Sequence, residues 1–156
     1  MISDVAIAVV WGMVVAGTGA FLTELSSWYH GLRRPSWQPP DWLFGPAWTI
    51  ILSAASLSLF LALRNVSDRR GQLIILGLFV VNGVLNVLWS PLFFKLRRPD
   101  WALLEVPLLW LSILVPIVVM WTASRYSSLL LVPYLLWVSF AALLNFAIVQ
   151  LNRPFG

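Results

Sequence analysis

"WYHGLRRPSWQPPDWLFGPAW", residues 28–48, separates two long apolar stretches, and how it is read decides how the rest of the chain is read. It holds four tryptophans, four prolines and two arginines within 21 positions. Pro35, Pro39 and Pro40 remove backbone donors and fix φ, so no helix runs through this segment and extended or polyproline geometry is favoured. The chain must leave one apolar segment, cross a stiff aromatic connection and enter another, with Asp41 placed to cap the helix that follows. With Trp28, Tyr29 and Trp37 on it, the connection reads as a preformed cap over one end of a bundle.

On either side of this segment, five apolar runs approach or exceed the roughly 20 residues that cross a bilayer core. They cover about 5–23, 42–63, 72–94, 101–122 and 127–151. The 156 residues are 60% hydrophobic and 10% charged, with a mean hydropathy of +0.88, too little polar surface to cover a soluble domain. The expected fold is an all-α integral membrane protein: one domain over 1–156, built as a five-helix transmembrane bundle. The first run has Asp4 and no basic residue ahead of it, and it is longer than a cleaved signal core, so it reads as a retained helix. Three of the four connections are short, which makes successive helices antiparallel neighbours.

Composition excludes several chemistries. With no cysteine there is no thiolate metal site or thiol redox step, and His30 is the only histidine, so no bis-histidine haem site forms within one chain. No acid/base pair, metal cluster or nucleophilic constellation supports a conventional hydrolase or transferase. The net charge of +4 and pI near 10.4 do not point to nucleic acid, because the ten basic residues flank the spans, where anchoring and topology account for them. Six (Arg33, Arg34, Lys95, Arg97, Arg98 and Arg153) lie on the side of the C-terminus, and four (Arg64, Arg69, Arg70 and Arg125) lie opposite, which favours a cytoplasmic C-terminus.

Polar residues within the spans narrow the reading. Asn82, Asn86, Asn145 and Gln150 should face the bundle interior, as interhelical glue or as ligand contacts. Glu105, one turn beyond Trp101, would snorkel or pair with a base in the preceding loop. Ten tryptophans exceed the needs of an interfacial belt, which accounts for Trp11, Trp28, Trp42, Trp101 and Trp121. Trp48, Trp89, Trp110 and Trp137 are deeper, and Trp137, Ala141 and Asn145 share one helix face. That face is either close-packed core or the wall of a pocket for a large planar apolar ligand. Pro46, Pro91, Pro107, Pro116 and Pro133 should bend their helices, and Gly12, Ala16 and Ala20 form a small-residue ladder permitting close approach within the bundle or across a dimer.

"WYHGLRRPSWQPPDW" (28–42), "GPAW" (45–48), "LNVLWSPLFF" (85–94), "WALLEV" (101–106) and "VPYLLWVSFAALLN" (132–145), in this order and spacing, resemble the TspO/MBR family of tryptophan-rich sensory and translocator proteins. The resemblance implies a five-helix bundle, usually dimeric, with a cavity open toward the first loop that takes porphyrins, sterols or benzodiazepine-site compounds. It implies ligand contacts at Trp28, Tyr29, Trp37, Trp48, Asn86, Trp89, Trp137, Ala141 and Leu144, and matches Trp48 and Trp137 to a pair associated with light-dependent porphyrin breakdown. Phe146 and Gln150 stand where the family's sterol segment has a tyrosine and a base, which moves the expectation from sterol to tetrapyrrole, and the source toward a bacterial inner membrane.

The expected function is that of a receptor or transport protein for porphyrin-type tetrapyrroles (protoporphyrin IX or haem), bound as ligand rather than obligatory cofactor. Arg33 and Arg34 would meet the propionates at the mouth, or else bind lipid phosphates or set topology. Photo-oxidative porphyrin degradation and ligand-sensing regulation are the alternatives.

Overall fold

The computed structural model describes residues 2–155, and their regular structure is entirely helical. The helices are α1 (Ile2–Leu22), α2 (Ser27–Gly31), α3 (Phe44–Asn65), α4 (Arg69–Ser90), α5 (Pro99–Met120), α6 (Arg125–Leu130) and α7 (Val132–Asn152). A 3₁₀ turn at Asp41–Leu43 leads into α3, and a π-helical turn at Pro91–Lys95 continues α4. Five segments are long and apolar enough to cross a membrane: Ser3–Leu22, Asp41–Asn65, Arg69–Lys95, Pro99–Met120 and Arg125–Asn152. The expected five-helix bundle is therefore the observed one.

α1 packs against α3 and α4, and α5 lies between α4 and α7. Ala55, Leu59, Ala62, Ile113, Tyr134 and Val138 are almost fully enclosed where these helices meet. Leucine, isoleucine and valine side chains such as Val10, Ile50, Val84, Leu104 and Leu136 point outward, as expected where the surrounding medium is hydrocarbon.

Several local expectations change. Of the five prolines expected to bend helices, only Pro107 and Pro116 sit inside one, in α5. Pro46 and Pro133 lie in the first turns of α3 and α7, where a backbone N–H has no intrahelical acceptor to lose. Pro91 opens the π turn, which re-pairs its own carbonyl with the N–H of Leu96 at 2.8 Å.

Trp11 is not a belt residue. It sits mid-way along α1, donates its indole N–H to the Phe79 carbonyl oxygen at 2.8 Å and packs edge-on against the Phe79 ring. A Cβ at Gly83 would come within 3.0 Å of the Trp11 indole nitrogen, so glycine is what lets the ring lie on α4. Trp42, Trp101 and Trp121 are exposed near span ends, as a belt requires.

Glu105 neither snorkels nor pairs. It is buried, and among the described residues neither carboxylate oxygen has a hydrogen-bond partner. The nearby Arg98 is taken by Asp100 and lies over Trp101 instead. Gln150 is exposed rather than inward, close to the end of α7 where water is within reach. Asn82 and Asn145 are buried as expected. Asn82 donates to Ser112 Oγ at 3.0 Å; the Asn145 amide, oriented to suit its neighbours, donates to the Pro99 carbonyl at 3.0 Å and accepts from the Leu103 N–H at 3.2 Å.

The end of the bundle opposite the Trp/Pro loop is sealed by small hydroxyls. Ser58 of α3 donates to the Ser127 carbonyl at 2.7 Å, Ser124 and Ser127 hydroxyls meet at 2.7 Å, and Ser128 donates to the Ile117 carbonyl at 2.8 Å. Ser58, Ser127 and Ser128 expose no surface, so α3, α5 and α6 close tightly here.

Candidate functional site

A cavity of about 680 Å³ opens in the half of the bundle under the Trp/Pro loop. Trp48 of α3, Asn86 and Trp89 of α4, and Trp137, Ala141 and Leu144 of α7 all line it. The helical period aligns these α7 residues: 137, 141 and 144 fall on one face, as do 86 and 89 on α4. Trp48 stands edge-on to Tyr134 (centroids 5.9 Å apart, 81°) and to Trp137 (6.4 Å, 82°). Phe44 and Phe140 pack on Trp137 at 5.7 and 5.6 Å. Trp89 stacks on Phe93 at 4.9 Å and 25°. Each indole is thus fixed by another ring, which presents flat apolar walls rather than mobile ones.

Asn86 lies at the cavity wall and donates to the Tyr134 hydroxyl at 2.7 Å. The choice between interhelical glue and cavity contact does not arise at this residue, since its position serves both.

The Trp/Pro loop covers one end of the cavity and is clasped at two points. Asp41 is the first. Instead of capping α3 it accepts from the Tyr29 hydroxyl (2.8 Å), from Gln38 (3.4 Å) and from Arg34 (3.3 Å). Pro40 occupies the cap position of the 3₁₀ turn, which leaves the Asp41 carboxylate free to turn back toward the loop. Tyr29 is buried, and Arg34 lies over its ring at 5.0 Å. Burial, reinforced by the hydrogen bond to Asp41, holds the Tyr29 phenol above its ordinary pKa of 10.0, so it stays a donor at any physiological pH. Tyr29, Gln38 and Asp41 also border the cavity and form its polar end.

Asn152 is the second clasp. Its side chain accepts from the Arg33 backbone N–H and donates to the Arg33 carbonyl, both at 2.8 Å, and so joins the loop to the end of α7. Replacing Asn152 with alanine removes both bonds, at about 1 kcal/mol each. The expected result is several-fold faster proteolysis within residues 31–40 with the helices intact, read by limited digestion and mass spectrometry.

The remaining site candidates lie around the cavity. Trp28 packs on Phe93 and Trp37, half-exposed, on Phe140; both indoles belong to the lid and neither borders the cavity, although the family resemblance implied ligand contacts at both. Arg33 is exposed, and Arg34 is engaged by Asp41; neither borders the cavity. One wall escaped sequence reasoning altogether: Ala16, Gly17, Gly19 and Ala20 of α1 face the cavity across from Gly45 and Thr49 of α3. The small-residue ladder was the available signal: within the bundle its Gly12 packs against Ser56 of α3, while Ala16 and Ala20 line the cavity.

The TspO/MBR family profile matches residues 5–151. The chain is 41% identical to the "Tryptophan-rich protein TspO" of Chlorobaculum tepidum, over 85% of this chain and 84% of that one. It is 35% identical to the "Tryptophan-rich sensory protein" of Cereibacter sphaeroides, over 89% and 86% of the two chains. It is 34% identical to the human "Translocator protein", over 81% and 75%. Together with five membrane-length helices, these likenesses make it an integral membrane protein in contact with lipid. The chain belongs to the TspO/MBR family.

Proposed function

We propose that this protein is a membrane receptor or transport protein that takes porphyrin-type tetrapyrroles into the cavity beneath its Trp/Pro lid. The observation that carries the reading is the cavity: about 680 Å³, walled by Trp48, Trp89 and Trp137, with Tyr29, Gln38 and Asp41 grouped at its lid end and the Asn86 amide further in. That volume lies within the roughly 300–1,000 Å³ of small-molecule pockets. Flat walls favour a flat ligand, because stacking and apolar burial act over its whole face. A macrocycle with carboxylates at one edge matches an apolar chamber with polar groups at its mouth. Arg34 is positioned to exchange Asp41 for a ligand carboxylate, with Arg33 outside it. The name of the human relative, translocator protein, supports movement of a ligand rather than storage. The tetrapyrrole is cargo or signal rather than cofactor, and the working unit is a homodimer in a bacterial inner membrane with its C-terminus cytoplasmic.

A second reading, photo-oxidative breakdown of the bound porphyrin, is favoured by one observation: Trp48 and Trp137 lie 6.4 Å apart on the cavity wall, close enough to act as a redox pair. Illumination with dioxygen as the oxidant would then give oxidised porphyrin products whose formation depends on both indoles and stops when oxygen is removed.

The test is a titration of purified protein with protoporphyrin IX in the dark, following tryptophan quenching, repeated with the dimethyl ester and with Arg33→Gln, Arg34→Gln. Saturable quenching is expected, with the arginine variant weakened several-fold toward the diacid and little toward the ester. Non-saturable quenching would mean partition into the micelle and would sink the proposal; equal losses for both ligands would reject the arginine role.

A further inference from the structure

The cavity has an opening that the lid does not cover. Ala16, Gly17 and Ala20 on α1 line it and are exposed, as are Gly45 and Thr49 on α3. A Cβ built at Gly17, Gly19 or Gly45 meets no atom within 4 Å. Nearer the middle of the bundle the same two helices touch: a Cβ at Gly12 would run into Ser56 Oγ and lie 3.9 Å from the Leu52 carbonyl oxygen. Two rods in contact at Gly12 and free of each other at Gly17 and Gly45 diverge toward the loop, and the wedge between them is edged by the smallest side chains available. Both helices are membrane-length, so the wedge faces lipid rather than water.

The two routes into the cavity differ in what must break. Lifting the lid disrupts the paired Arg33–Asn152 bonds, the Tyr29 and Arg34 bonds to Asp41 and the Trp37–Phe140 ring contact together. Entering through the wedge displaces only lipid chains from alanine and glycine. A tetrapyrrole ester or free base also concentrates in the bilayer, where the wedge is.

We infer that the gap between α1 and α3 is a lateral passage through which a flat, membrane-dissolved ligand enters and leaves the cavity from the lipid while the lid stays shut. The inference rests on the cavity being a ligand site, as proposed above, and specifies the side from which that site is filled.

Two measurements test it. In vesicles of phosphatidylcholine brominated on its acyl chains, the part of the fluorescence contributed by Trp48, taken as the difference from Trp48→Phe, should be quenched. The quenching should be lost when the gap is plugged by Ala20→Phe with Gly45→Phe. Separately, loading of protoporphyrin IX from vesicles should slow about tenfold in the plugged variant, with release slowed alongside, because a raised barrier acts on both directions. A lining role alone would speed release instead. The chain contains no cysteine, so Arg33→Cys with Asn152→Cys gives a unique pair. Joined by a short thiol cross-linker that holds the lid shut, this variant should still load protoporphyrin IX dimethyl ester, which needs no arginine, at close to the wild-type rate.

Cross-linking that blocks loading, or bromine that leaves Trp48 unquenched, overturns the passage. A wild-type protein that fails to bind protoporphyrin IX at equilibrium refutes the tetrapyrrole reading by itself, and the bromine result still decides whether the gap admits lipid-borne molecules.

Discussion

Replacing Trp48 and Trp137 together with alanine should weaken protoporphyrin IX binding about 1,000-fold, while the double phenylalanine variant should lose only about tenfold. The difference comes from area. A large aromatic side chain buries about 150–250 Å², and a ligand face laid against one covers about half of the smaller figure, near 80 Å². At about 25 cal/mol per Å² each wall contributes about 2 kcal/mol, and two walls about 4 kcal/mol, or nearly three orders of magnitude. Phenylalanine keeps a flat face and gives up only the second ring of the indole. The single alanine variants should sum to less than the double one. Trp48 rests edge-on against both Tyr134 and Trp137, so either neighbour relaxes partly into the space left when one indole is removed. Porphyrin absorbance titration gives the affinities, and circular dichroism checks that helix content is retained. A double alanine variant within threefold of wild type would place the ligand elsewhere.

How far the sequence disclosed this site depends on which residues carried a distinctive chemistry. The five spans were legible because each apolar run is long and is bounded by charge or proline, two signals that report on solvation and backbone geometry directly. The lid was legible for the same reason: Pro35, Pro39 and Pro40 leave a helix no way through. Trp48, Trp89 and Trp137 stood out because deep indoles are more than a belt needs, and the structure brings all three to one cavity. The α1 wall stayed hidden because alanine and glycine have the same signature in a tight crossing and beside an empty space. Only the direction in which α1 and α3 diverge separates Gly12 from Gly17, and that direction is set by packing far from either. Asp41 was misread as a cap because the capping rule looks forward along the chain, whereas its partners, Tyr29 and Arg34, lie behind it. Trp11 was misread as a belt residue because span ends are blurred in sequence, and its acceptor, the Phe79 carbonyl, is 68 positions away.

The opposite end of the bundle supports the other large effect: Ser58→Leu should cost about 3–5 kcal/mol, a large share of the roughly 5–15 kcal/mol that separates folded from unfolded proteins. Ser58 exposes no surface and stands against Ser127, which exposes none either, so the extra carbons of leucine find no space. Overpacking of this kind costs about 1–3 kcal/mol. The substitution also removes the 2.7 Å bond to the Ser127 carbonyl, leaving that oxygen facing an alkyl chain in a site closed to water. Ser58→Ala separates the two contributions, since it loses the bond without adding volume and should cost only about 1 kcal/mol. At about 2–4 °C per kcal/mol for a chain of this size, the leucine variant should melt about 10 °C below wild type in the same detergent, and the alanine variant a few degrees below. The seal matters because it makes the cavity blind: a ligand admitted on the loop side has no way through between α3 and α6. A leucine variant that melts with wild type would show that this end has room to spare, and a closed chamber would then give way to a channel that merely narrows.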